Sequence, residues 1–357
     1  MRVDTRIAIV GAGIMGRLLA WELVQAGYRP ELYDRDGPDA GSAAAYTAAG
    51  MLAPYCELEA ADSSIYHMGL DGLAQWRRLA RELGDIGHRD PGTLVVAHAS
   101  DGVELQRFQL RLQHKLAATE STRPEGCGAR NAAILQGAAL VRQEPGLDGR
   151  FDRALYLPRE ACVDNRKVMA ALAHKLRQHG VVWHAHSPVL ALQPGRIVLQ
   201  QGSREVDWVL DCRGLGARND LIALRGVRGE LLEISAPAVQ LRHMLRLLHP
   251  RYQIYLVPLS GGRYLIGATQ IESEDYAPIS VRSALELLSA LYSLHDGFAE
   301  AHIIATRSNC RPALPDNLPL IQHQTGLLRI NGLFRHGFLL APVLASQALD
   351  YLRHTIP

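Results

Sequence analysis

The chain is 357 residues long, 48% hydrophobic and 21% charged, a composition that suits a folded protein of two domains and excludes long disordered stretches. A formal charge of +2 is too small to mark a nucleic-acid or membrane-surface binder, which would show a clustered basic face. Lysine is confined to Lys115, Lys167 and Lys175, which leaves few residues for Schiff-base or pyridoxal chemistry.

In chain order, Arg6 to Val10 is a short β-branched run of the kind found in buried parallel strands. The glycine-rich turn Gly11-Ala12-Gly13-Ile14-Met15-Gly16 follows. Arg17 to Ala26 then carries Leu18, Leu19 and Leu23 at helical spacing, with Gly27 as a stop. A second strand, Glu31 to Tyr33, ends at Asp34. The stretch Gly41 to Pro54 is rich in small residues, and Ser64 to Leu83 sets Leu70, Leu73, Trp76 and Leu79 on one helical face. A strand at Leu94 to Ala97 and helices at Glu104 to Ala118 and Val168 to Gly180 come next, the last feeding a strand at Val181 to His184. Strand-like runs then dominate: Arg196 to Gln200, Trp208 to Cys212, Glu230 to Ile234, Tyr252 to Pro258 and Arg263 to Ala268. Their spacing predicts antiparallel sheet. A helix over Val281 to Leu294, a strand over Leu327 to Asn331 and a terminal helix from about Ala341 to His354 close the chain.

The N-terminal unit reads as strand, glycine turn, helix, strand, acid. Gly11 permits the tight turn, Gly13 lets the backbone approach a pyrophosphate, and Gly16 lets helix and strand pack closely. The free N–H groups and positive dipole of the helix N-terminus suit phosphates. Asp34 lies near the roughly 20 residues beyond the first glycine where a ribose-binding carboxylate is expected. The fingerprint by itself serves NAD and FAD alike. The small residues from Ala43 to Pro54 suit a backbone passing beside a flat ligand, or simply a packed loop.

The run Ile9 to Gly16, followed by Ala48-Ala49-Gly50-Met51-Leu52-Ala53-Pro54 and, near the end, by Gly332-Leu333-Phe334-Arg335-His336-Gly337-Phe338-Leu339-Leu340-Ala341-Pro342, resembles the glycine oxidase group of the D-amino-acid oxidase superfamily. The similarity runs over essentially the whole chain in matching order. It implies an α/β plus α+β protein: a glutathione-reductase-like Rossmann domain holding FAD non-covalently, interleaved with an antiparallel-sheet substrate domain. The expected segments are 1–55, 145–217 and 305–357 for the FAD domain and 56–144 and 218–304 for the substrate domain.

The resemblance assigns FAD contacts to Gly11, Gly13, Ile14, Met15, Gly16, Asp34, Ala48, Ala49, Gly50, Met51, Val163, Gly214, His336, Gly337, Phe338 and Leu339. In the last motif Pro342 is expected in the first turn of the terminal helix, so that N–H groups before it face the flavin. Cys212 to Ala217 matches a small-residue turn beside the cofactor, with Arg213 as a departure. For a substrate carboxylate the resemblance offers Arg311, Arg335 and Tyr255, and a guanidinium grips a carboxylate with two parallel hydrogen bonds. Gln253 and Gln270 stand where a histidine and a methionine are common, which makes the pocket wall more polar and leaves glycine, sarcosine, another N-substituted glycine or a small D-amino acid as substrates.

The implied reaction is oxidative deamination by hydride transfer from Cα to flavin N5, with oxygen as acceptor and peroxide as product. Rival readings are a dehydrogenase serving a quinone or carrier, and a tRNA-modifying flavin oxidoreductase. Five cysteines, Cys56, Cys127, Cys162, Cys212 and Cys310, form no CxxC pair and fit neither a disulfide framework nor a zinc site, so no metal and a reducing cytoplasm are expected. No signal peptide is expected at the N-terminus, and no run reaches the ~18 apolar residues of a membrane span. The expected partners are a small-molecule amino-acid substrate, oxygen and other copies of the chain in a homo-oligomer, with no nucleic acid; a thiamine-pathway role follows from the resemblance alone.

Overall fold

The computed structural model describes residues 5–120, 132–147, 149–249 and 253–356. At its centre is a six-stranded sheet in the order Leu320–Gln324, Leu327–Asn331, Trp208–Asp211, Ile7–Val10, Pro30–Tyr33, Val182–His184. All neighbours in it pair in parallel except the first two strands. Ile7 to Val10 is buried on both faces because its side chains alternate: Ile7 and Ile9 enter the main core, while Ala8 and Val10 pack with Leu192 and Ile197 of a three-stranded antiparallel sheet. Helices Ile14–Gln25, Ser63–Leu83, Asn165–Gln178 and Gly337–Thr355 pack together over the main-core face.

The second large sheet has eight strands, ordered His302–Ala313, Arg225–Ser235, Arg263–Gly267, Gln253–Pro258, Met244–Leu248, Thr93–Val96, Arg153–Leu157, Ala133–Gln136. Its pairings are antiparallel, as the strand spacing predicts, apart from the parallel pair Met244–Leu248 with Thr93–Val96. Helix Val281–Leu294 lays Leu287, Leu291 and Leu294 on Leu232, Ile234, Leu256 and Ile266 of this sheet. Strand Arg153–Leu157 belongs to the eight-stranded sheet, and His302–Ala313 enters it along its whole length.

The terminal helix begins earlier than its composition predicts, at Gly337, so Pro342 sits inside it and not in its first turn. A proline there removes the N–H that would bond the carbonyl four residues back, that of Phe338. The indole Nε1–H of Trp76 takes that carbonyl instead, at 2.7 Å, which lets the helix run through. Cys56, Cys162, Cys212 and Cys310 are buried and unbridged, and Cys127 lies outside the described residues. Among the described residues no helix is long and apolar enough to cross a membrane.

Candidate active site

A cavity of about 1230 Å³ is lined by residues of both large sheets and by segments from the N-terminal and C-terminal parts of the chain. Gly11 lines it with φ +97°, and a side chain there would meet the Cys212 carbonyl oxygen at 2.6 Å, so the turn and the neighbouring strand both require glycine. Gly13 also lines the cavity, and a Cβ on it would touch only Ala43, at 3.8 Å, which leaves open approach for a ligand. Gly16 does not reach the cavity; a side chain there would collide with the Gly11 carbonyl, so its part is the close contact of helix and turn.

Helix Ile14–Gln25 starts at Gly13 without a side-chain cap and without an acidic residue in its first turn, so the N–H groups of Ile14 and Met15 are presented to the cavity. Asp34 closes the other side of the turn. Its Oδ2 accepts the Ala12 N–H at 2.5 Å and its Oδ1 the Asp36 N–H at 2.7 Å. Arg17 braces the turn from behind through Nε to the Ala12 carbonyl (2.7 Å). The small-residue stretch follows, with Ala48, Ala49, Gly50 and Met51 all lining the cavity.

Val163, expected beside the cofactor, lies outside the cavity lining. Its N–H donates to the Gly50 carbonyl at 2.9 Å, and a side chain on Gly50 would strike its own carbonyl, so Val163 backs Gly50 from the far side. Val189 does line the cavity. It follows strand Val182–His184, which pairs with Pro30–Tyr33, so the two strands open at their carboxyl ends into the same crevice. Arg213 lines the cavity beside Gly214, but its guanidinium is held by Asp211 (2.9 Å) and Asp220 (2.5 Å).

A second uncapped helix start meets the cavity at Gly337. It too lacks a side-chain cap and a first-turn acid, and Gly337, Phe338 and Leu339 line the wall. The turn before it, Phe334 to His336, holds Phe334 at φ 48°, a left-handed conformation that a non-glycine residue adopts only under local constraint. Two helix N-termini with unspent donors, a backbone cradle free of side chains and one long cavity fit a dinucleotide with a ring system at its far end.

Arg311, Tyr255, Arg335, His336 and Gln270 line the same cavity. Gln253 opens strand Gln253–Pro258, but its side chain lies outside the described residues. Arg311 sends Nη1 to the Thr269 carbonyl (3.1 Å) and, among the described residues, has no carboxylate in ion-pair range. Burial lowers its pKa to about 10, with Arg335 adding repulsion, so it stays charged near neutrality but gains from an anion. Gly229 makes room for it: a Cβ there would overlap the Arg311 guanidinium.

The Tyr255 hydroxyl is buried and makes no hydrogen bond, its ring lying under the Arg246 guanidinium at 5.3 Å. Burial raises its pKa, so the phenol is neutral and can donate. Arg335 is paired to Glu57, which the sequence reading did not single out, at 2.8 Å from Nε and 2.7 Å from Nη2. Burial alone would push the Glu57 carboxyl up, but Arg335, then His336 and Arg246, hold it below its ordinary range. Burial drives the His336 imidazole down to about 4, so it is neutral at pH 7. A neighbour of a matched motif, Glu57 follows Pro54 at the start of helix Pro54–Leu58, and that closeness was its one signal in the sequence.

A family model described as FAD dependent oxidoreductase matches residues 6–350. The ThiO oxidoreductase of thiamine biosynthesis in Rhizobium etli is 40% identical over 342 residues, covering 96% of this chain and 94% of that one. The glycine oxidase of Geobacillus kaustophilus is 28% identical, over 96% of this chain and 92% of its own. The fold is that of solved glycine oxidase: the Geobacillus kaustophilus structure superposes with a TM-score of 0.84 at 24% identity, covering 99% of this chain and 96% of that chain. An iminodiacetate oxidase from Chelativorans sp. BNC1 superposes with a TM-score of 0.82 at 25% identity, covering 98% and 95%.

Proposed function

We propose that this chain, which belongs to the FAD dependent oxidoreductase family and is an enzyme of the glycine oxidase and ThiO type, oxidises the amine of a small amino acid to an imine. The observation that carries this reading is Arg311, a charged guanidinium facing the cavity with no carboxylate of its own among the described residues. Its two remaining terminal donors suit a substrate carboxylate, and the unspent Tyr255 hydroxyl suits a carboxylate oxygen beside it. Held at that end, an amino acid is oriented with its Cα toward the ring-binding part of the cavity, and such fixed orientation supplies much of the acceleration.

FAD, when bound, would supply a two-electron acceptor for the hydride leaving Cα, with oxygen as the proposed final acceptor and hydrogen peroxide as product. Gly11, Gly13, Ile14 and Met15 are the residues to hold its pyrophosphate, and Asp34 its ribose. Ala48 to Met51, Val189 and Gly214, which line the cavity, would flank it, and Gly337 to Leu339 would offer N–H groups to its ring. Neutral His336 serves through position and backbone, because no protein base is needed when the amine binds unprotonated. Water then splits the imine into a 2-oxo acid and ammonia or an amine. The two-domain division rests on the two large sheets, the six-stranded one carrying FAD and the eight-stranded one carrying Arg311 and Tyr255.

Incubation with sarcosine in air tests the proposal by product. Glyoxylate and peroxide in equal amounts are expected; consumption of sarcosine only with an added quinone, and no peroxide, would overturn oxygen as acceptor.

A further inference from the structure

Arg311 and Arg335, both lining the cavity, differ in how their charge is compensated. Arg335 is engaged on both sides: Nε and Nη2 reach Oε2 of Glu57 at 2.8 and 2.7 Å, and Nη1 lies 3.5 Å from Oε1 of Gln270. The same Glu57 oxygen lies 3.4 Å from His336 Nδ1, an atom that is buried and makes no hydrogen bond. Helix Pro54–Leu58, the turn Phe334–His336 and the loop after Arg263–Gly267 therefore meet at the Arg335 guanidinium. Arg311, by contrast, spends Nη1 on backbone carbonyls and faces the cavity uncompensated.

We propose that Glu57 sets how many carboxylates a substrate can carry: by neutralising Arg335 it leaves Arg311 as the cation of this pair that is open to a carboxylate, so the site takes amino acids with a single carboxylate and turns away those with two. The inference rests on the amino-acid reading above. A second carboxylate near Arg335 would have to share the guanidinium with Glu57, which sets two anions side by side where little water screens them. Pushing Glu57 aside would instead strand its charge in a buried place. Glu57→Gln removes the charge and keeps the shape, and its amide oxygen can still accept from Arg335. The guanidinium would then be free to bind a second carboxylate, as Arg311 binds the first.

The test uses FAD-loaded wild type and Glu57→Gln. Acetate and malonate are titrated against the flavin absorbance, and kcat/KM is measured for sarcosine and iminodiacetate. Wild type should bind acetate more tightly than malonate and prefer sarcosine. Glu57→Gln should shift both ratios toward the dicarboxylate by on the order of 100-fold. Glu57→Gln combined with Arg335→Met should lose that gain. Unchanged ratios in Glu57→Gln, or tighter malonate than acetate binding in wild type, would overturn the inference. The second result needs no variant to fold. If no amino acid reduces the wild-type flavin, the functional reading fails instead, and the two anions still decide the charge at Arg335.

Discussion

The indole Nε1–H of Trp76 donates to the carbonyl oxygen of Phe338 at 2.7 Å, across 262 residues of sequence. It fills the place of the N–H that Pro342 lacks, and Phe338 itself lines the cavity. Trp76→Phe should leave that buried carbonyl unpaired and lower stability by about 1–3 kcal/mol. Pro342→Ala restores a helix donor to the same oxygen, so a double-mutant cycle by denaturant unfolding should show Trp76→Phe costing less in the Pro342→Ala background. Strict additivity would show that the two residues do not share the carbonyl.

Arg311→Ala should raise KM for the amino acid by on the order of 100-fold or more while FAD stays bound. Gly229→Ala should give a milder form of the same defect, because the added methyl takes the space of the Arg311 guanidinium. Steady-state kinetics on FAD-loaded protein check both. An unchanged KM in the two variants would remove Arg311 from the substrate site.

Asp34 supports the glycine turn as well as facing the cavity, since its two oxygens accept from Ala12 and Asp36. Asp34→Asn should weaken FAD binding by about 10- to 100-fold, because one of the two accepting oxygens becomes an NH2 donor facing an N–H and the other loses its charge. Titration of apoprotein with FAD measures it, and a wild-type Kd would assign Asp34 no part in cofactor retention.

Glu160 is fully buried behind helix Pro54–Leu58, its Oε1 accepting the Cys56 N–H at 2.7 Å. Burial raises its carboxyl to about 7. The folded protein thus keeps a proton that the unfolded chain has already lost, so stability falls as pH rises from the ordinary carboxylate range through about 7. Glu160→Gln should therefore exceed wild type in stability at about pH 8, by up to about 3 kcal/mol, and match it near about pH 5. Melting curves of the FAD-loaded proteins at the two pH values check this; parallel curves would show that Glu160 is not the group responsible.

The elements that sequence reading located best are those fixed by local patterns. Helix Val281–Leu294 and strand Leu327–Asn331 appear with their expected limits, because one carries a 3.6-residue apolar period and the other a compact apolar run. The strand, glycine turn and helix at the N-terminus were legible for the same reason. What escaped depends on contacts between distant segments. Nothing near Pro342 says that Trp76 will supply the missing donor, and nothing near Gly229 says that Arg311 will need its space. Val163 is buried behind Gly50, whereas Val189 lines the cavity, and no local pattern separates the two. Only the pairing of Val182–His184 with Pro30–Tyr33 directs Val189 into the crevice. Arg335 was found by its motif, but its charge state was not, since Glu57 reaches it from the opposite end of the chain.

Anaerobic mixing of the FAD-loaded protein with glycine, sarcosine and small D-amino acids, followed by flavin absorbance, tests the central claim most directly. Full bleaching by at least one of these amines, with a rate that saturates in wild type and becomes nearly linear in concentration in Arg311→Ala, is the predicted result. A flavin that stays oxidised against the whole series while dithionite bleaches it would contradict an amino-acid oxidase.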